Sequence, residues 1–176
     1  TDILEAVATT GSIRPILASV ETVRFILTDN AAAIATHTYN FDRSTGVKTV
    51  EFENFAHGSS GSDTVLVTNV TTDTVLKVTE KVGNSATTLD NNYSIAYNNV
   101  AGTSDVATVE LSTTTADCTL GTVTVDNIED VTVNSSGGFD TSFVLSAGEA
   151  TSVSLTSAAD SLTTDTSAGT VVVTAA

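Results

Sequence analysis

The 176-residue sequence has no methionine and no tryptophan, a single cysteine, a single proline, and no lysine or arginine after Lys81. Each absence closes off a class of protein. One cysteine, Cys118, excludes an internal disulfide. With no histidine or cation near it in sequence, Cys118 reads as a small core residue and not as a reactive thiol. The only basic residues are Arg14, Arg24, Arg43, Lys48, Lys77 and Lys81, against a net charge of −15. A phosphate backbone needs a cationic footprint, so nucleic-acid binding is excluded. The apolar runs are all short, so no segment is expected to span a bilayer. No positively charged leader with an apolar core opens the sequence. Thr1-Asp2-Ile3-Leu4 reads as the interior of a repeat, from which we expect a piece of a longer protein.

What is present is Ser and Thr, which fill nearly a third of the chain, together with abundant Val and Ala. Thr and Val are branched at Cβ and pack well on a pleated surface. A polar, uncharged strand former at this density predicts strands with one wet face. The 40% hydrophobic content, regularly spaced, argues against disorder. From Val82 onward there are eleven acidic residues and no basic one. Such a surface suits solvent and salt, or divalent metal.

Short alternating runs recur at 21–27, 48–52, 63–68, 73–78, 105–111, 121–125, 130–133, 142–145, 152–155 and 169–174. In the last third they come at the spacing of an all-β fold or a solenoid. An antiparallel β-sandwich would join its strands through Asn-Gly or Asp-Gly hairpins, and neither dipeptide occurs. A right-handed parallel β-helix instead asks for short strands, stacking inward aliphatics and corners of Asn, Asp, Gly and Ser. We therefore expect the parallel solenoid, with the sandwich as alternative. Glu21-Thr-Val-Arg-Phe25 and Lys48-Thr-Val-Glu-Phe52 look like one unit repeated a coil later, which would set Arg24 against Glu51 and Glu21 against Lys48. Helix is expected only as a turn or two at 6–10 and 30–36, and the polar stretch 89–100 as a loop or irregular coil. A soft boundary falls near 82–90, where the basic residues stop, within a single solenoid segment spanning 1–176.

Gly58-Ser-Ser-Gly-Ser-Asp63 before Thr64-Val65-Leu66 resembles the nonapeptide of calcium-binding β-rolls, G-G-x-G-x-D-x-U-x, with Ser59 where glycine is expected. In that reading glycine makes the corner and Asp63 gives Ca²⁺ a hard oxygen. An echo, Ser135-Ser-Gly-Gly-Phe-Asp140, offers Asp140. A plain Gly/Ser turn before a strand explains both stretches equally simply. Asp126-Asn-Ile-Glu-Asp130 could bring Asp126, Glu129 and Asp130 onto a Ca²⁺ at one corner, or form a solvated acidic corner; the EF-hand spacing is missing. His37 and His57 lie in no zinc-binding pattern, and no G-x-S-x-G motif is present. We expect no enzyme. Asn69, Asn92 and Asn134 match the glycosylation acceptor pattern at the frequency chance gives in so Ser/Thr-rich a chain.

Gly102-Thr-Ser-Asp-Val-Ala-Thr-Val-Glu-Leu-Ser112, Gly121-Thr-Val-Thr-Val-Asp-Asn-Ile-Glu-Asp-Val-Thr-Val133 and Thr151-Ser-Val-Ser-Leu155 follow one plan. So do Ser19-Val-Glu-Thr-Val-Arg-Phe25 and Gly46-Val-Lys-Thr-Val-Glu-Phe52. This plan resembles the β-helical region of bacterial surface-layer proteins of the type I-secreted, calcium-dependent class, from about Val20 to the last residue. The resemblance implies an extracellular, self-associating subunit of a crystalline coat, without disulfides and held by Ca²⁺. The dense tandem calcium repeats of that family are missing here. Cell-surface polysaccharide is a further partner to consider, and two other functions stand beside the coat. One is an adhesin or fibre module gripping glycan or a receptor, which would want an exposed aromatic ladder from Tyr39, Tyr93 and Tyr97. The other is a polysaccharide-cleaving β-helix enzyme.

Overall fold

The computed structural model describes residues 1–8, 11–27, 36–55, 63–81, 91–114, 118–137, 141–157 and 171–175. Their regular structure is all strand: β1 (Ile3–Ala8), β2 (Ser12–Ile13), β3 (Thr22–Leu27), β4 (Thr36–Asn40), β5 (Thr49–Phe55), β6 (Thr64–Val70) and β7 (Val75–Lys81). The second half continues with β8 (Asn92–Tyr97), β9 (Val106–Thr113), β10 (Cys118–Asp126), β11 (Asp130–Gly137), β12 (Thr141–Ser146), β13 (Ser152–Ser157) and β14 (Val171–Ala175). No helix occurs among the described residues. Sheet one runs β1-β3-β5-β7-β9-β11-β13-β14 and sheet two β12-β10-β8-β6-β4-β2. Every pairing is parallel, so the chain crosses from one sheet to the other and returns one coil further on. This is the parallel β-solenoid expected from the sequence, and the hairpin-linked sandwich is excluded.

The period-2 sequence explains the stack. Val23 sits over Val50, Val50 over Leu76, Leu76 over Val109, then Val133 and Leu155, all turned inward and buried. On the facing sheet His37, Val65, Tyr93, Val123 and Leu145 form one inward column, and Tyr39, Val67, Ile95 and Val125 another. Each large aliphatic removed from water contributes about 1.5–3 kcal/mol. In the early coils the shaft is filled by rings. Phe25 lies 4.3 Å from Tyr39 and 5.6 Å from Phe52 between centroids, and Phe52 lies 4.9 Å from Tyr39 and 6.1 Å from Tyr93.

The corners carry their own signature. Asn69, Asn99 and Asn127, each where the chain leaves sheet two, hold φ of 62°, 58° and 58°. Asparagine tolerates this left-handed region better than other residues bearing a Cβ. Gly137 (φ 124°) closes β11 against Thr113 of β9, and a Cβ there would stand 2.0 Å from the Thr113 carbonyl oxygen.

Two sequence expectations need correction. Residues 6–8 belong to β1 and not to a helical turn, because β1 extends sheet one by pairing with β3, and Thr36 opens β4 by pairing with Thr64; 9–10 and 30–35 lie outside the described residues. The stretch read as a loop contains β8, whose Tyr93, Ile95 and Tyr97 alternate inward beneath a polar outer row. Residues 82–90 also lie outside the described set, while β7 pairs with β9 and β6 with β8 across them.

Candidate functional site

The charged side chains among the described residues concentrate at the corners and along the outer face of sheet one. At the corners a backbone ladder climbs the stack. The amides of Lys48 and Thr49 donate to the Glu21 carbonyl at 2.8 and 2.9 Å, that of Val75 to Lys48 at 2.8 Å, and that of Asp130 to Asp105 at 3.0 Å. Thr151 and Ser152 both donate to the Glu129 carbonyl, at 2.8 and 3.0 Å. Carboxylates reinforce this ladder by reaching back one coil. Glu21 accepts from the amide of Asp2, and Glu129 Oε2 accepts from the amide of Asp105 at 3.0 Å. The first bond holds the Glu21 carboxyl below its usual range. Lys48 ties to Asp73 and Arg14 to Asp42, each across a coil step. Hydrogen bonding from Lys48 lowers the Asp73 pKa, and that from Arg14 lowers Asp42.

On the outer face of sheet one the register aligns Glu5, Arg24, Glu51, Lys77 and Glu110, alternating in sign. Arg24 Nη1 is 3.3 Å from Glu5, Arg24 Nε is 3.0 Å from Glu51 Oε2, and Lys77 Nζ is 3.5 Å from Glu51 Oε1. Glu51 is only 4% exposed and also accepts from the Thr79 hydroxyl at 3.0 Å. Burial works to raise its pKa, but the bonds from Arg24 and Thr79 and the charge of Lys77 outweigh it, leaving it lowered. The repeat that set Arg24 against Glu51 in the sequence does so in space. Glu21 and Lys48 meet through backbone, while their side chains turn to Asp2 and Asp73.

The candidate calcium ligands do not gather. Asp126 stands exposed at the end of β10, Glu129 caps Asp105, and Asp130 opens β11. Asp63 donates its amide to Asn91 Oδ1 at 3.0 Å, and its carboxylate lies 3.6 Å from Nε2 of the buried His37. Asp140, His57 and 58–62 lie outside the described residues. Among the described residues no group of three or more His, Cys, Asp or Glu side chains stands close enough to hold a metal ion. The described members of the donor set therefore form no three-acid cage: in a parallel stack an acid's neighbours come from the next coil, not from the next position in the chain. Asn69 and Asn92, two of the glycosylation matches, are engaged between coils. Asn69 Nδ2 donates to Asn40 at 2.9 Å and Asn92 Oδ1 accepts from the Thr122 amide at 2.8 Å.

An open cavity of about 370 Å³ lies between the corner at 72–75 and that before β9, walled by Thr72, Asp73, Ser104, Asp105 and Thr108 among others. It arises where the step from Leu76 to its partner Val109 is the longest in sheet one. Asp105 Oδ2 is buried with no hydrogen-bond partner. Sequence reasoning passed over this place, although the Thr-Thr-Asp and Thr-Ser-Asp that form it both precede strands. The three tyrosines proposed as a sugar-stacking ladder are all core residues; burial raises the pKa of Tyr39 and Tyr97 well above the ordinary phenol value. No helix of the described residues is long and apolar enough to cross a membrane.

The fold and its coil-to-coil ties define the chain as a parallel β-solenoid. Comparison with protein-family models, with curated proteins and with solved structures finds no match.

Proposed function

We propose that this chain is a structural building block, a β-solenoid segment of an extracellular, self-associating surface layer. The observation carrying this reading is the use made of its charged groups: Glu21, Asp42, Glu51, Asp73 and Glu129 each tie one coil to the next. Each of the five binds a group of the neighbouring coil, a use that belongs to the fabric of the rod. The glycan-gripping alternative loses its aromatic ladder to the core, and in the Asp73–Asp105 cavity, the place that would favour the polysaccharide-cleaving alternative, Asp73 is held by Lys48 and Thr71.

Two copies of net charge −15 repel on approach. Divalent cations such as Ca²⁺ serve this reading by screening or bridging surface acids between copies, without an internal cage. Sedimentation and electron imaging of the chain with calcium, with sodium alone and with chelator test it. Sheets or filaments that form with calcium and disperse in chelator at low salt are expected. A monodisperse chain under all conditions, or assembly indifferent to chelator at low salt, contradicts it.

A further inference from the structure

We infer that the outer face of sheet two is the surface on which a second copy of this chain packs; this rests on the building-block reading above. The register places Ser12, Thr38, Leu66, Ser94, Thr124 and Ser146 in one row across all six strands. Beside it run Thr36, Thr64 and Asn92, continued by Thr122 and Val144, and on the other side Asn40, Thr68, Ala96 and Asp126. Of these outward positions only Asp126, at the margin, carries charge. The outer face of sheet one carries Glu5, Arg24, Glu51, Lys77 and Glu110, and the corners carry most of the remaining described acids.

Electrostatics therefore selects the face. A second copy of the same acidic chain can come within contact distance where no carboxylates confront each other, and sheet two offers that surface. Depletion of charge is also what marks the centre of protein interfaces. The chemistry is self-complementary, because a Ser or Thr hydroxyl both donates and accepts, so identical rows satisfy one another. Val144, 41% exposed, and Leu66 add apolar contact. Face-to-face packing of sheets is the geometry such rows allow, and a two-fold axis brings the same patch to both partners. Six strands about 4.8 Å apart, β2 with one outward residue and the others with two or three, present a face of roughly 400 Å². That is about half of what one partner gives to a standard stable interface. The isolated pair is thus weak, and the contact becomes persistent when repeated in an array.

The test compares wild type with Thr38→Glu plus Thr124→Glu on this face and with Thr132→Glu on sheet one, following assembly by sedimentation and imaging in calcium and moderate salt. The sheet-two variant is expected to need at least tenfold more protein to assemble, and Thr132→Glu to match wild type. Ser146→Lys, on the exposed edge strand β12 and of opposite charge, is expected to impair assembly too, and replaces the double variant if that one loses the wild-type circular dichroism. Wild-type assembly by the sheet-two variants, or equal loss in Thr132→Glu, overturns the face and leaves the building-block reading standing. A wild-type chain that stays monomeric overturns both.

Discussion

Arg24 of β3 stacks directly against Glu51 of β5, Nε to Oε2 at 3.0 Å, although 27 residues of chain separate them. The pair is asymmetric: Glu51 is nearly inaccessible, while the Arg24 side chain keeps 31% of its surface. Removing the arginine strands a buried carboxylate with only Lys77 and Thr79 for company; removing the carboxylate leaves a cation that water can reach.

Arg24→Ala is therefore expected to cost about 1–3 kcal/mol, below the loss for a fully buried pair because Lys77 and Thr79 remain. Glu51→Gln is expected to cost less. Urea midpoints for the two variants check both the size and the order.

Acid should weaken the stack. The folded-state pKa of Glu51 is depressed, so its contribution is fully present above the unfolded glutamate value of about 4.3 and is lost as pH falls through the lower folded value. Protonation also relieves the repulsion of a −15 chain, which works the other way and is screened by salt. In high salt the urea midpoint is expected to fall as pH drops below 4.3, and to fall less steeply in Arg24→Ala. A midpoint that rises with acid in high salt contradicts this assignment.

Gly137→Ala places a methyl against the Thr113 carbonyl at a φ that L residues avoid. A loss of about 2–4 kcal/mol is expected, since the clash is with backbone and cannot be relieved by a rotamer change. The thermal midpoint reports it, with Gly148→Ala, which meets no atom within 4 Å, as the neutral comparison.

Phe52 touches Phe25, Tyr39 and Tyr93 across both sheets, so Phe52→Ala opens a cavity that three rings border. About 3–5 kcal/mol is expected. Loss of near-ultraviolet tyrosine dichroism at pH 7 should accompany it, because Tyr39 and Tyr93 lose a fixed neighbour.

The stacking itself was legible because Val and Thr alternate so plainly in β3, β5 to β7 and β9 to β13. The unit Glu21–Phe25, repeated at Lys48–Phe52, even gave the register. β4 and β8 were hidden by their composition: Thr-His-Thr-Tyr-Asn and Asn-Tyr-Ser-Ile-Ala-Tyr look like loop, yet His37, Tyr39, Tyr93 and Tyr97 are the inward set. A polar ring or phenol reads as surface in one dimension and fills the shaft in three. The partners of the acids were hidden for the complementary reason. Asp126, Glu129 and Asp130 are close in sequence, but a corner separates them, and Glu129 is drawn to an amide one coil away.

Backbone contacts between amide and α protons in the labelled chain test the parallel stack most directly. The account predicts that Val50 shows parallel-type contacts to both Val23 and Leu76, with Val109 next in line beyond Leu76. Antiparallel contacts between sequence-adjacent strands, joined by hairpins, would contradict it.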